Sequence, residues 1–241
     1  PEAEVLFVAS PADPGVIQMV DEDGTDVGEL TFSGVPEAVT SLQWHDGQLY
    51  IADVGDPDLE REAITVFAVS AEEGQQTYRA WDFRFPDGVK HVEAFMISGR
   101  ERFYFATGGS DPAFYASQLN PSREEMNTLF RAGDAPEGIT DGTFLADGAT
   151  MLLRTAEGVE LVDAFTWEVT DATTYVGGGQ DESITTFTNG RMLVGSSGVF
   201  RDEALPDGFA TASPSATPAP CSSSCMTSLK SANSGTPHSA A

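Results

Sequence analysis

Basic residues are scarce in this chain. Its 241 residues carry 12 Lys and Arg against 38 Asp and Glu, a formal net charge of −26. Binding a phosphate backbone needs a basic footprint, so nucleic acid is excluded as a partner. An anionic membrane surface is disfavoured for the same reason. Cations, basic partners and plain solubility stay open. Cysteine is scarcer still: the two present, Cys221 and Cys225, stand four apart near the C-terminus. They allow a local disulfide or two free thiols. With His238 they make three candidate zinc ligands, one short of a closed structural site. The other two histidines are His45 and His91, which leaves little for Ser–His or Cys–His catalysis. GlySerSerGly (195–198) lacks the Gly-x-Ser-x-Gly elbow of the hydrolases. No run of about 18 apolar residues occurs, so no helix is expected to span a membrane. Amphipathic helical periodicity is also nearly absent. The chain starts at Pro1 rather than Met, as expected of a processed or trimmed chain whose signal peptide is gone.

What is present is a set of short apolar strands separated by turns. Residues 5–9, 16–20 and 28–32 read as an opening meander, with DEDG (21–24) as a turn. A fifteen-residue unit then recurs: VTSLQWHDGQLYIAD (39–53), EAFMISGRERFYFAT (93–107), DGTFLADGATMLLRT (141–155) and ESITTFTNGRMLVGS (182–196). Each copy is a strand, a Gly-bearing turn and a second strand. The copies align without gaps. Outer strands are expected between them, among them AITVFAV (63–69), AWDFRF (80–85) and MNTLF (126–130). Periods of about 40–50 residues with several strands each point to propeller blades. Four units and the opening meander predict an all-β propeller of five blades over residues 1–205, with six blades as the alternative. The first blade is expected to lack its innermost strand unless residues before Pro1 or from the C-terminus supply it. Residues 206–241 are rich in Ser, Thr, Ala and Pro and almost uncharged. They are expected to form a disordered tail, a stalk or linker, because they cannot bury enough apolar surface to offset chain entropy.

Two acidic sets are candidate sites. Position one of the unit is Glu93, Asp141 and Glu182 in three copies and Val39 in the fourth. Innermost strands line a propeller's channel, so these three acids are expected at one height, as a partial ring, with His91 near its mouth. Crowded like charges share a proton, bind a cation or stay in water. All-oxygen ligands suit Ca²⁺ or Mg²⁺. The second set is the loop Asp53, Asp56, Asp58 and Glu60, followed by Arg61. It admits either a cation or a structural pin in which Arg61 pairs with Asp53 or Asp56. Asp53 ends the second strand of its unit and is expected to lie far from the channel acids. The tryptophans Trp44, Trp81 and Trp167 are expected to serve as packing.

The motifs ADVGD (52–56), REAITVFAV (61–69), FPDGVKHVEAFMI (85–97), ITDGTFLADGATMLLRT (139–155) and DESITTFTNGRMLVGSSG (181–198) occur in this order. Together they resemble an uncharacterised family of bacterial exported β-propellers with a D-I-G-D-N loop, close to WD40-like and SMP-30-like propellers. Pro57 stands where that family has Asn, and Val39 where it has an acid. The resemblance implies a propeller fold and an extracellular or cell-surface setting, and no activity. The resulting expectation is a monomeric binding module for a protein or small-molecule ligand, with Ca²⁺ as its candidate cation. The alternative is a metal-dependent hydrolase of the lactonase or esterase kind, built on the channel carboxylates.

Overall fold

The computed structural model describes residues 5–10, 12–21, 23–99, 102–145, 147–174, 182–186, 192–196 and 199–203. Among these residues every regular element is a strand. The tail, with Cys221, Cys225 and His238, lies outside them.

The chain opens with β1 (Leu6–Ser10), β2 (Asp13–Val20) and β3 (Asp26–Phe32), paired antiparallel in that order. The first fifteen-residue unit forms β4 (Val39–His45) and β5 (Gln48–Asp53). Asp46 and Gly47 join them, both at positive φ (48° and 76°), as a two-residue hairpin turn requires. β6 (Ile64–Ser70) follows β5 antiparallel. The next segment, β7 (Gly74–Gln76), leaves this sheet and pairs parallel with β3. The chain then returns as β8 (Tyr78–Arg84) beside β6.

The third sheet is β9 (Val92–Ile97), β10 (Phe103–Thr107) and β11 (Ala113–Ala116). Here too the chain steps back: β12 (Asn127–Thr128) pairs parallel with β8 before β13 (Phe130–Asp134) closes its own sheet against β11. The fourth sheet is β14 (Ile139–Phe144), β15 (Thr150–Thr155), β16 (Gly158–Asp163) and β17 (Val169–Thr174). The fifth holds β18 (Glu182–Thr186), β19 (Met192–Ser196) and β20 (Val199–Glu203).

The first strands of successive sheets neighbour one another, β1 by β4, β4 by β9, β9 by β14 and β14 by β18. This is the inner ring of a β-propeller. Strand alternation explains how the sheets stack. On β5, Tyr50 and Ala52 face the third sheet, packed with Phe95, Phe103 and Phe105. Leu49 and Ile51 face the first sheet, packed with Phe7, Ile17 and Leu30. Both faces are therefore apolar, as in a strand covered on both sides. A third cluster joins Met96, Ala106 and Phe114 to Met151 and Leu153 across the third and fourth sheets. A fourth joins Leu152 and Leu161 to Ile184 and Val194. Leu193 of the fifth sheet packs with Leu6 of the first, beside Val20.

Two expectations about strands are corrected. The first sheet does not lack its inner strand, because β1 fills that place. What it borrows is its outermost strand, β7, from the second sheet's connection. Residues 126–130 are not one outer strand but two short ones, β12 and β13, that pair with different sheets. Edge pairing of this kind covers backbone groups that would otherwise template aggregation.

Candidate functional site

Asp53 is the last residue of β5, and Val39, the first of β4, lies directly opposite. An antiparallel hairpin brings position fifteen of the unit back beside position one. The expectation that the acidic loop lies far from the channel acids is therefore wrong, because the antiparallel return carries the end of the second strand back to the start of the first. The loop and Glu93 of the channel set sit at one end of the propeller.

At that end the loop is held from within. Arg61 bonds both oxygens of Asp53, Nη1 to Oδ1 at 3.0 Å and Nη2 to Oδ2 at 2.9 Å, and donates to the Gly55 carbonyl at 2.9 Å. Asp53 also accepts the Ala38 amide at 2.7 Å, where the chain enters β4. Asp56 accepts the amides of Glu60 and Arg61, both at 2.9 Å. Asp53 and Asp56 are buried; Asp58 and Glu60 point to solvent. The buried acids thus organise backbone, and the exposed pair does not join them.

His91 connects this loop to a channel acid. Its Nδ1 accepts the Asp56 amide at 2.9 Å. Nδ1 therefore carries no proton, and in the neutral ring the proton sits on Nε2, which lies 3.5 Å from Glu93 Oε1. A side chain at Gly108 would collide with the Glu93 carboxylate, so glycine there lets Glu93 fold back toward His91.

The three channel acids do not share a register position. Partners on the second strand define the heights: Val39, Val92 and Ile139 stand opposite Asp53, Thr107 and Thr155. Thr40, Glu93 and Thr140 are bulged residues with no partner across the hairpin. Asp141 stands one step further in, opposite Arg154. Glu182 pairs with Ser196 with no shift in its ladder. An ungapped alignment cannot register a β-bulge, which moves side chains by one residue between sheets. Among the described residues no group of three or more His, Cys, Asp and Glu is placed to hold a metal ion.

Asp141 does not face a wet channel. It is 2% exposed. Its Oδ1 lies 3.3 Å from the Ser41 hydroxyl on β4 and accepts the Gly142 amide at 2.9 Å. Its Oδ2 accepts the Ile184 amide on β18 at 3.1 Å. Beside it Gln43 donates to the Gly142 carbonyl at 2.9 Å, and Thr143 donates to Gln43 at 3.2 Å. Inner strands of three sheets are tied across the centre by these bonds, and a buried carboxylate that accepts several donors is stabilised where it stands.

The other end of the propeller carries an open groove of about 510 Å³ between the third and fourth sheets. Its wall includes Arg102, Tyr104, Phe130, Phe144, Phe165 and Trp167. The turn Ala164–Trp167 presents the last two. Asp163 shapes that turn by accepting the amides of Phe165 and Thr166 at 2.8 Å, and the Thr166 and Phe165 amides hold its carboxyl below the usual carboxylate range. Trp167 has positive φ (62°) and lies 5.2 Å from the Phe114 ring. A Cβ at Gly133 would run into the Trp167 ring, so glycine there permits the approach. Phe165 is 77% exposed. Trp167 packs against the buried cluster of the third and fourth sheets, as expected; Phe165 and Arg102 carry no expectation from the sequence. The available signal was DAFTW (163–167), two aromatics set in a turn that an aspartate initiates.

No protein-family model matches the chain, and no curated protein matches it. Solved structures resemble it weakly. A hydrazine synthase of Kuenenia stuttgartiensis has TM-score 0.42 and 15% identity, over 80% of this chain and 56% of that one. A gluconolactonase of Xanthomonas campestris has TM-score 0.46 and 16% identity, over 76% and 63%. A protein of unknown function from Bacteroides caccae has TM-score 0.47 and 14% identity, over 80% and 70%. The chain thus spans less than two thirds of the first two. Likenesses at this level carry neither fold nor activity to this chain; both rest on the sheets and side chains described above.

Proposed function

We propose that the protein is a binding propeller of five blades, without chemistry of its own, whose ligand site is the groove between the third and fourth sheets. The carrying observation is the contrast between the two ends. The acidic end spends its buried carboxylates on backbone amides and Arg61, and the centre is tied by Asp141. The groove instead holds open space of ligand size beside aromatic side chains, the usual make-up of a small-molecule site. The count of five draws on the five apolar contacts between successive sheets, the last of them Leu193 with Leu6. The exported setting comes from the resemblance of the ordered motifs.

One observation favours the hydrolase alternative: the His91–Glu93 pair at the acidic end, with a ring nitrogen and a carboxylate in reach of each other. The protein incubated with γ-lactones and aryl esters, with and without Ca²⁺, tests the choice. The binding propeller shows no turnover above buffer in either condition. Turnover that His91→Gln abolishes would replace it with the hydrolase.

A further inference from the structure

Arg102 is an unusual residue in so acidic a molecule. Acids outnumber Lys and Arg by 38 to 12, and Arg61 and Arg131 both bond carboxylates. Arg102, in the groove wall, makes no ion pair with any described residue. Its guanidinium carbon lies 5.7 Å from the Phe130 ring centroid, which orients the head group. Its Nε is buried and has no hydrogen-bond partner among the described residues. That nitrogen is closed to solvent and to a groove ligand alike, but Arg102 as a whole is half-buried and lines the groove, so its remaining N–H groups are the ones that can meet an acceptor there.

Asp147, the one acid among the described residues of the groove wall, does not fill this role. Asp147 is committed to its own turn: Oδ1 accepts the amides of Ala149 and Thr150, both at 2.9 Å, and Oδ2 accepts the Thr150 hydroxyl at 2.7 Å. The groove therefore combines aromatic walls with a cation whose planar fork is unmatched among the described residues. A guanidinium presents parallel N–H groups that match a carboxylate in bidentate fashion.

We propose, resting on the groove assignment above, that the ligand is a small aromatic or aliphatic carboxylate. Its acid group pairs with Arg102, and its apolar body lies between Phe165, Trp167 and Tyr104. Anion recognition at this one point sets selectivity against the repulsion expected from a net charge of −26. The apolar walls supply affinity, and the guanidinium supplies choice.

The experiment titrates the full chain with 3-phenylpropionate, 3-phenylpropanol and 3-phenylpropylamine by calorimetry, at about 0.15 M salt to screen long-range charge. The carboxylate is expected to bind at least tenfold tighter than the alcohol, with the amine weakest. Arg102→Gln should bring carboxylate and alcohol to within about twofold and leave the alcohol unchanged. Phe165 is exposed enough for Phe165→Ala to leave folding intact, and that change should weaken carboxylate and alcohol together. Equal binding of carboxylate and alcohol in the wild type, with both weakened by Phe165→Ala, overturns the carboxylate inference and leaves the groove assignment standing. Carboxylate preference that survives Arg102→Gln also overturns it. Binding indifferent to Phe165→Ala, or none at millimolar probe, overturns the groove assignment as well.

Discussion

Asp53 stands where two other sheets carry threonine. Thr107 and Thr155 hold the same register position. Each bonds both the amide and the carbonyl of the residue that starts the next strand, Ala113 or Gly158. In the second sheet the next connection is longer, and a carboxylate with Arg61 does the work of that hydroxyl. The side chains are mostly buried, 18% and 4% exposed for Arg61 and Asp53. Losing one partner of such a pair strands the other. Arg61→Ala should therefore cost about 2–4 kcal/mol in urea unfolding, and adding Asp53→Thr should restore about half of that loss. No recovery in the double variant would mean that Asp53 serves something other than the loop. Which acids would meet was only partly legible at this scale. Arg61 was marked as a partner by its place after the loop. The bulge at Glu93 was not, because one extra residue in a ladder leaves no mark in side-chain type.

Elements were legible where their pattern was long. All four fifteen-residue units are the two inner strands of a sheet, because alternating apolar residues around a Gly-bearing turn have few other folds available. The crossing strands were hidden for the opposite reason. β7 is GlnGln after Gly74 and β12 is Asn127–Thr128, polar and too short to show a period. Their role is set by position alone, on the outer edge of the preceding sheet. Asn127 anchors one of them. Its Nδ2 faces the carbonyls of Asp82, Ser122 and Glu125 at 2.8–3.2 Å, and its Oδ1 accepts the Ser122 amide at 2.8 Å. Asn127→Ala leaves these groups unsatisfied and should cost about 2–3 kcal/mol. Amide exchange should rise along Tyr78–Arg84, the strand that β12 covers, before it rises in β5 or β10. Uniform loss of protection across all sheets would show instead that β12 is no more than part of the common core.

At the scale of the molecule, charge and topology divide the labour. Both ends of the propeller are built from strand connections, but they differ in what the connections carry. One end gathers Asp53, Asp56, Glu93 and His91 into bonds with backbone and with each other. The other leaves aromatic rings and Arg102 around open space. The sequence drew attention to the acidic end because carboxylates in a row are conspicuous. The groove is assembled from residues spread between Ser98 and Trp167, so only the stacking of two sheets brings it into view. The most direct test is an amide NMR titration of the full chain with 3-phenylpropanol, which is uncharged and so independent of the part assigned to Arg102. Shifts are expected at Ser98, Tyr104, Gly148, Phe165 and Trp167, which line the groove, with residues 53–61 and 91–93 unmoved. Shifts gathered around Asp56 and His91 instead, or none at millimolar probe, would contradict it.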